Sequence, residues 1–132
     1  MAKARKVKEI SFTMSNKVGL LSEVTTAIAG AKVNITAICA YGMEGTAYFM
    51  MTIDSNSKAK KALASLGVAI EEKDVVEVEV LDKPGELQKV SKRIADAGID
   101  IEYMYATASS GKKETCIFMT SDNTKAIKVI NK

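Results

Sequence analysis

Residues 16–40, NKVGLLSEVTTAIAGAKVNITAICA, align without a gap onto residues 82–106, DKPGELQKVSKRIADAGIDIEYMYA. Nine of these twenty-five positions are identical: Lys17, Gly19, Leu21, Val24, Ile28, Ala29, Ala31, Ile35 and Ala40 recur as Lys83, Gly85, Leu87, Val90, Ile94, Ala95, Ala97, Ile101 and Ala106. What recurs is a turn glycine, the apolar stripe of one helix and the strand that follows it. The chain therefore holds two copies of one structural unit.

Outward from the first stretch, the pattern changes period at each end. Upstream, Ile10, Phe12 and Met14 alternate with Glu9, Ser11 and Thr13, the period of a half-buried strand. SNKVG turns the chain, and Gly19 supplies the backbone freedom such a turn asks for. From Leu20 the apolar residues Leu20, Val24, Ala27, Ile28 and Ala31 fall on one helical stripe. VNITAICAY and TAYFMMTI read as strands joined by the hairpin residues GMEG. NSKAKKALASLG reads as a short helix capped by Asn56 or Ser57 and stopped by Gly67, and VAIEE as a fourth strand.

The second copy repeats this order with VVEVEVL, a turn at DKPGE, a helix with the stripe Leu87, Val90, Ile94 and Ala97, strands at IDIEYMYA and TCIFMT joined through SSGKK, and a helix at DNTKAIKVINK. No strand follows that last helix. The expected fold is α+β: two ferredoxin-like βαββαβ units, antiparallel sheets with helices on one face, the second lacking its last strand. The expected division is residues 1–72 and 73–132, and the open edge of the second unit invites another strand.

Composition narrows the chemistry. In 132 residues there is no histidine, which removes the commonest general base and the usual metal ligand, so neither catalysis nor a metal or other cofactor is expected. Cys39 and Cys116 belong to no C-x-x-C pair and read as small buried hydrophobes, kept reduced. No phosphate-loop motif is present; Gly42 and Gly45 read as turn residues only, and Gly111 as part of a hairpin. The net charge of +3 is concentrated in MAKARKVK, read as a solvated N-terminal arm, and in KAKK at 58–61. No aromatic residue interleaves with these lysines, which argues against nucleic acid. No apolar run could span a bilayer and no signal segment follows the basic start, so a cytoplasmic protein is expected.

What remains is the repeated turn and the strand after its helix. These two places are expected to come close in space, with helix amides aimed at the turn. Asn16 and Asn34 occupy them in the first copy, and an amide offers both a donor and an acceptor, suited to an amino acid's carboxylate and ammonium. Asp82 and Asp100 occupy them in the second and would repel a carboxylate, so the first copy is the expected carboxylate end. By spacing alone the plainer reading comes first: Asn16 and Asp82 as turn residues, Asn34 and Asp100 as strand openings.

On these residues the chain resembles the ACT domain, a small-molecule-binding module of amino-acid-regulated enzymes. Both stretches are similar to its signature, a turn N/D-x-P-G-x-L, a hydrophobic helix, then G-I/V-N/D-I. The resemblance implies a non-catalytic regulatory protein that binds an amino acid at the interface between ACT-like domains, like free-standing tandem members of the family. By motif the binding positions are Asn16, Lys17, Val18, Gly19 and Leu20 with Asn34 and Ile35. In the second copy they are Asp82, Pro84, Gly85, Glu86 and Leu87 with Asp100 and Ile101. Val18 stands where the signature has proline, and Glu86 adds a negative charge where it has an apolar residue. The resemblance also implies a homodimer, with a metabolic enzyme as a further partner. Two other readings stay open: an adaptor gripping a metabolic enzyme with a degenerate ligand site, and an RNA-binding ferredoxin-like protein.

Overall fold

Gly19 and Gly85 both adopt left-handed backbone, φ 86° and 87°, and each is the residue from which a helix starts. The computed structural model describes residues 2–108 and 111–132; Met1, Ser109 and Ser110, the first residue of the basic start and two of the expected SSGKK hairpin, lie outside the described residues. The elements run β1 (Lys3–Ser15), α1 (Leu20–Gly30), β2 (Ile35–Met43), β3 (Thr46–Ile53), α2 (Asn56–Ala64), β4 (Glu71–Leu81), α3 (Glu86–Asp96), β5 (Ile101–Ala108), β6 (Lys113–Thr120) and α4 (Asn123–Asn131). The chain divides into two compact units, Lys8–Lys73 and, as the second, Asp74–Lys132 with the residues up to Val7.

In the first unit the strand order is β2-β3-β1-β4, with β3 antiparallel to both β1 and β2. The register pairs Ile10 with Met51, Phe12 with Phe49 and Met14 with Ala47, which places all six on one face. Phe12 and Phe49 stack with ring centroids 4.9 Å apart. Leu20, Val24 and Ile28 from α1 and Ala59 and Leu63 from α2 close over that face and complete the core. Truncating Leu63, fully buried, to alanine would cost about 2–5 kcal/mol through lost transfer energy and the cavity left. Val68 and Ile70 pack against the same core before the strand begins at Glu71. The cap of α2 is Ser55, whose hydroxyl accepts from the Lys58 amide, and not Asn56 or Ser57. Asn56 instead donates from its side chain to the Lys8 carbonyl at 3.4 Å.

The second unit has the order β5-β6-β4-β1, in which residues 3–7 of β1 take the place beside β4. Val76, Val78 and Val80 from β4, with Cys116 and Phe118 from β6, form the sheet's share of the core; Val90, Ile94, Ala126 and Ile130 form the helical share. Asn123 at the start of α4 donates to the Asp74 carbonyl at 2.9 Å, repeating what Asn56 does for Lys8.

Four expectations change here. The basic start is not a solvated arm: Ala4 is buried in the second unit's core, Arg5 pairs with Glu77 at 2.6 Å and Lys6 with Asp74 at 4.0 Å. The second copy supplies no strand after α4, and residues 3–7 occupy that edge, so they belong with the second unit and not with residues 8–72 as expected. VAIEE and VVEVEVL are not separate strands: residues 68–70 precede the strand, and a single strand, β4, runs Glu71–Leu81 from the end of the first stretch through the second. Glu9, expected on a wet face, is fully buried. No helix among the described residues is long and apolar enough to cross a membrane.

Candidate functional site

The end of β1, the start of α1 and the far end of the β2–β3 hairpin meet around a hollow of about 290 Å³ in the first unit. Its lining includes Asn16, Lys17, Gly19, Leu20, Leu21 and Ser22 from the turn and first helical turn, Ala40, Tyr41 and Gly42 from β2, and Ala47 and Phe49 from β3. The hairpin can reach this end because Glu44 and Gly45, both at positive φ (51° and 81°), turn the chain in two residues. The Gly45 carbonyl then accepts from the Asn16 amide at 2.9 Å. Tyr41 and Tyr48, opposite each other in the register, stack at 5.0 Å and stiffen that end of the hairpin.

The electrostatics of the hollow come from backbone and amide groups. No side chain caps α1; the Leu20 amide donates to the Lys17 carbonyl at 3.3 Å and the Glu23 amide to the Gly19 carbonyl at 3.0 Å. This leaves the Leu21 and Ser22 amides for another acceptor, and the helix dipole adds positive potential there. Lys17 is held by Glu23 at 3.0 Å and the pair is exposed, so it adds little net charge. Leu20 and Phe49, both buried, with Ala47, give an apolar floor. Such a hollow has a place for an anion at the helix end, donors and an acceptor on Asn16, and an apolar surface beside them.

Of the expected first-copy residues, Asn16, Lys17, Gly19 and Leu20 meet here; Val18 stands in the same turn with its side chain fully exposed. Asn34 and Ile35 do not. The register sets Ser15 opposite Thr46 and Ile35 opposite Ile53, the two ends of β3, roughly 23 Å apart at a strand's rise per residue. The reason is topological: α1 carries the chain back along the whole sheet, so β2 starts where β1 started. Asn34 is engaged there with Asp54, its amide donating to the carboxylate at 3.0 Å and its carbonyl accepting from the Asp54 amide at 3.1 Å. The expected closeness of turn and strand opening is thus corrected within a unit.

The second copy has the same separation. The Asp82 amide donates to the Lys112 carbonyl at 2.8 Å, while Asp100 sits at the other end with its amide on the Ser121 hydroxyl at 3.0 Å. Ile101 opens β5 opposite Thr120, and Pro84 and Leu87 are exposed around Gly85. Glu86 does not add charge to a pocket with two aspartates. Its side chain is nearly buried at the first position of α3, where the Lys89 ammonium, 2.9 Å away, holds the carboxyl below its ordinary range. Sequence reasoning missed Ala40, Tyr41, Gly42, Ala47 and Phe49; their only signal was the alternation of the hairpin strands.

The cysteines are free: Cys39 is half-buried and Cys116 buried. Burial pushes the Cys116 thiol up to about 12, with the Glu114 carboxylate adding to it; burial and then Glu9 push Cys39 upward too.

Two βαββαβ units, each with a glycine turn opening its first helix, define a tandem pair of ferredoxin-like domains. The chain belongs to the ACT domain family: the model of the ACT domain pair matches residues 5–132. A solved protein from Bacteroides thetaiotaomicron is similar at 30% identity and a TM-score of 0.87, covering 97% of this chain and 88% of that one. The ligand-free regulatory subunit of aspartate kinase from Thermus thermophilus is similar at 18% identity and a TM-score of 0.71, covering 94% and 90%. Aspartate kinase from Clostridium acetobutylicum matches at 13% identity and a TM-score of 0.64, covering 98% of this chain and 33% of its own. These last two share the fold. No curated protein matches the chain.

Proposed function

We propose that the chain is a non-catalytic, cytoplasmic regulatory protein that binds a free amino acid in the hollow of its first unit. The observation that carries this is the meeting of Asn16, the uncapped start of α1 and the apolar floor of Leu20, Ala47 and Phe49 around one space. The helix amides and Asn16 would take the carboxylate and ammonium, and the floor the side chain. Homodimerisation fits β2, an edge strand of nine residues that carries no charge and exposes Ile38, Tyr41 and Met43. Regulation follows if the amino acid binds two arrangements of the protein with different affinity.

A thermal-shift screen against the twenty common amino acids tests this. An amino acid at 100 times its Kd adds about 2.7 kcal/mol of stability, and Asn16→Ala should abolish the shift. A flat screen with folded protein would favour a second reading, an adaptor for a metabolic enzyme. That reading has its own support in the exposed apolar rim of Val18, Leu21, Tyr41 and Met43.

A further inference from the structure

We infer that Gly42 is the residue that seats Asn16, and that it confines amino-acid binding to the first copy. Of the eight glycines, Gly42 is the only one whose missing side chain matters for space: a Cβ there would lie 2.6 Å from Asn16 Nδ2 and 3.3 Å from its Cγ. Six of the others sit at positive φ, which explains them through the backbone alone, whereas Gly42 lies in a regular strand that any residue could continue. The glycine is therefore there for the amide that lies on it. That amide lines the hollow, and the strand beneath it fixes where its donor and acceptor stand.

The second copy shows what replaces this arrangement. Gly42 pairs with Ala47 across the first hairpin, and the matching register pairs Ala108 with Glu114. Where the first hollow has Gly42, Ala47, Tyr41, Phe49 and Leu20, the second copy has Ala108, Glu114, Thr107, Cys116 and Glu86. At the matching positions an alanine stands for Gly42, a carboxylate, Glu114, stands for Ala47, and an aspartate, Asp82, stands for Asn16, while Glu86, at the place of Leu20, is already paired with the Lys89 ammonium. The carboxylates of Asp82 and Glu114 disfavour a carboxylate ligand at that turn. The chain thus binds one amino acid, not two. This rests on reading the first hollow as the amino-acid site.

Gly42→Ala tests the seat directly, because the obstructing group is the tip of a side chain that can swing away while the fold stays. The first readout needs no amino acid. The Asn16 side-chain amide signals in a ¹H–¹⁵N spectrum should move in Gly42→Ala, with far-UV circular dichroism unchanged. The second is calorimetric titration with each of the twenty common amino acids. Gly42→Ala should weaken binding at least tenfold, and the wild-type stoichiometry should be one per chain.

Should Gly42→Ala fold poorly, Asn16→Ser/Gly42→Ala should recover the fold of Asn16→Ser, since the shorter side chain makes room. Failure of that pair to fold, unmoved Asn16 signals, unchanged affinity in Gly42→Ala, or two sites per chain would each overturn the inference. Absence of any wild-type binding would instead sink the amino-acid reading, and the Asn16 signals would still decide whether Gly42 seats it.

Discussion

Asn131, at the end of α4, brackets the backbone of Ala4: its side-chain oxygen accepts from the Ala4 amide at 2.7 Å and its nitrogen donates to the Ala4 carbonyl at 2.9 Å. A side chain thus imitates a strand, satisfying both polar groups of a residue 127 positions away. Asn131→Ala leaves those groups without these partners in a partly buried place. The expected loss is about 1–3 kcal/mol, read as a lower urea midpoint with an unchanged slope. Asn131→Asp should lose nearly as much, because it keeps the acceptor and forfeits the donor.

Residues 3–7 complete the second unit's sheet, so their removal should act on that unit. In a chain lacking residues 1–7, amide exchange should rise along residues 74–81 of β4, which lose their neighbour, while β3 keeps its protection. The exposed edge should also promote self-association, measurable by sedimentation. Undiminished protection in β4 would show that this strand contributes no stability there.

Much of the fold was legible because it is local. The stripes Leu20–Val24–Ile28 and Val90–Ile94 and the paired glycines Gly19 and Gly85 specify helix, turn and start without reference to distant residues. The start of β1 was not legible, because Lys3, Arg5, Lys6 and Lys8 read as solvent-facing and the partners that hold it, Glu77 and Asn131, are far along the chain. The single strand β4 hid behind Glu71–Asp74, four charged residues that resemble a linker. For the site, the turn is legible, but the expected nearness of Asn16 to Asn34, and of Asp82 to Asp100, fails because α1 and α3 carry the chain back along the strands to their opposite ends. Gly42 reads as a turn residue only, because GMEG is hairpin chemistry; it lies instead in β2, and only the third dimension sets Asn16 upon it.

Glu86 predicts a pH effect. The Lys89 ammonium lowers its folded pKa below the ordinary 4.5, so the pair's stabilisation is present above the unfolded value and is lost as pH falls through the folded one. Wild-type protein should therefore exceed Glu86→Gln in urea midpoint at pH 7. The gap should begin to close only below about pH 4.5 and vanish in stronger acid. A gap independent of pH would assign the effect to packing and not to charge.

The thiols predict an order of labelling. With its thiol near 12, Cys116 is thiolate in only about one molecule in ten thousand at pH 8, and it is buried besides. Iodoacetamide at pH 8 should label Cys39 first, and Cys116 only on addition of denaturant. Mass spectrometry of the digested protein reads this directly; early labelling of Cys116 would contradict its burial.

The most direct test of the account is calorimetric titration of the whole chain with the twenty common amino acids, repeated on Asn16→Ala and Asp82→Ala. The account predicts a selective amino acid binding with a stoichiometry of one, lost in Asn16→Ala and retained in Asp82→Ala. No binding by folded wild-type protein, or binding that survives Asn16→Ala, would contradict it.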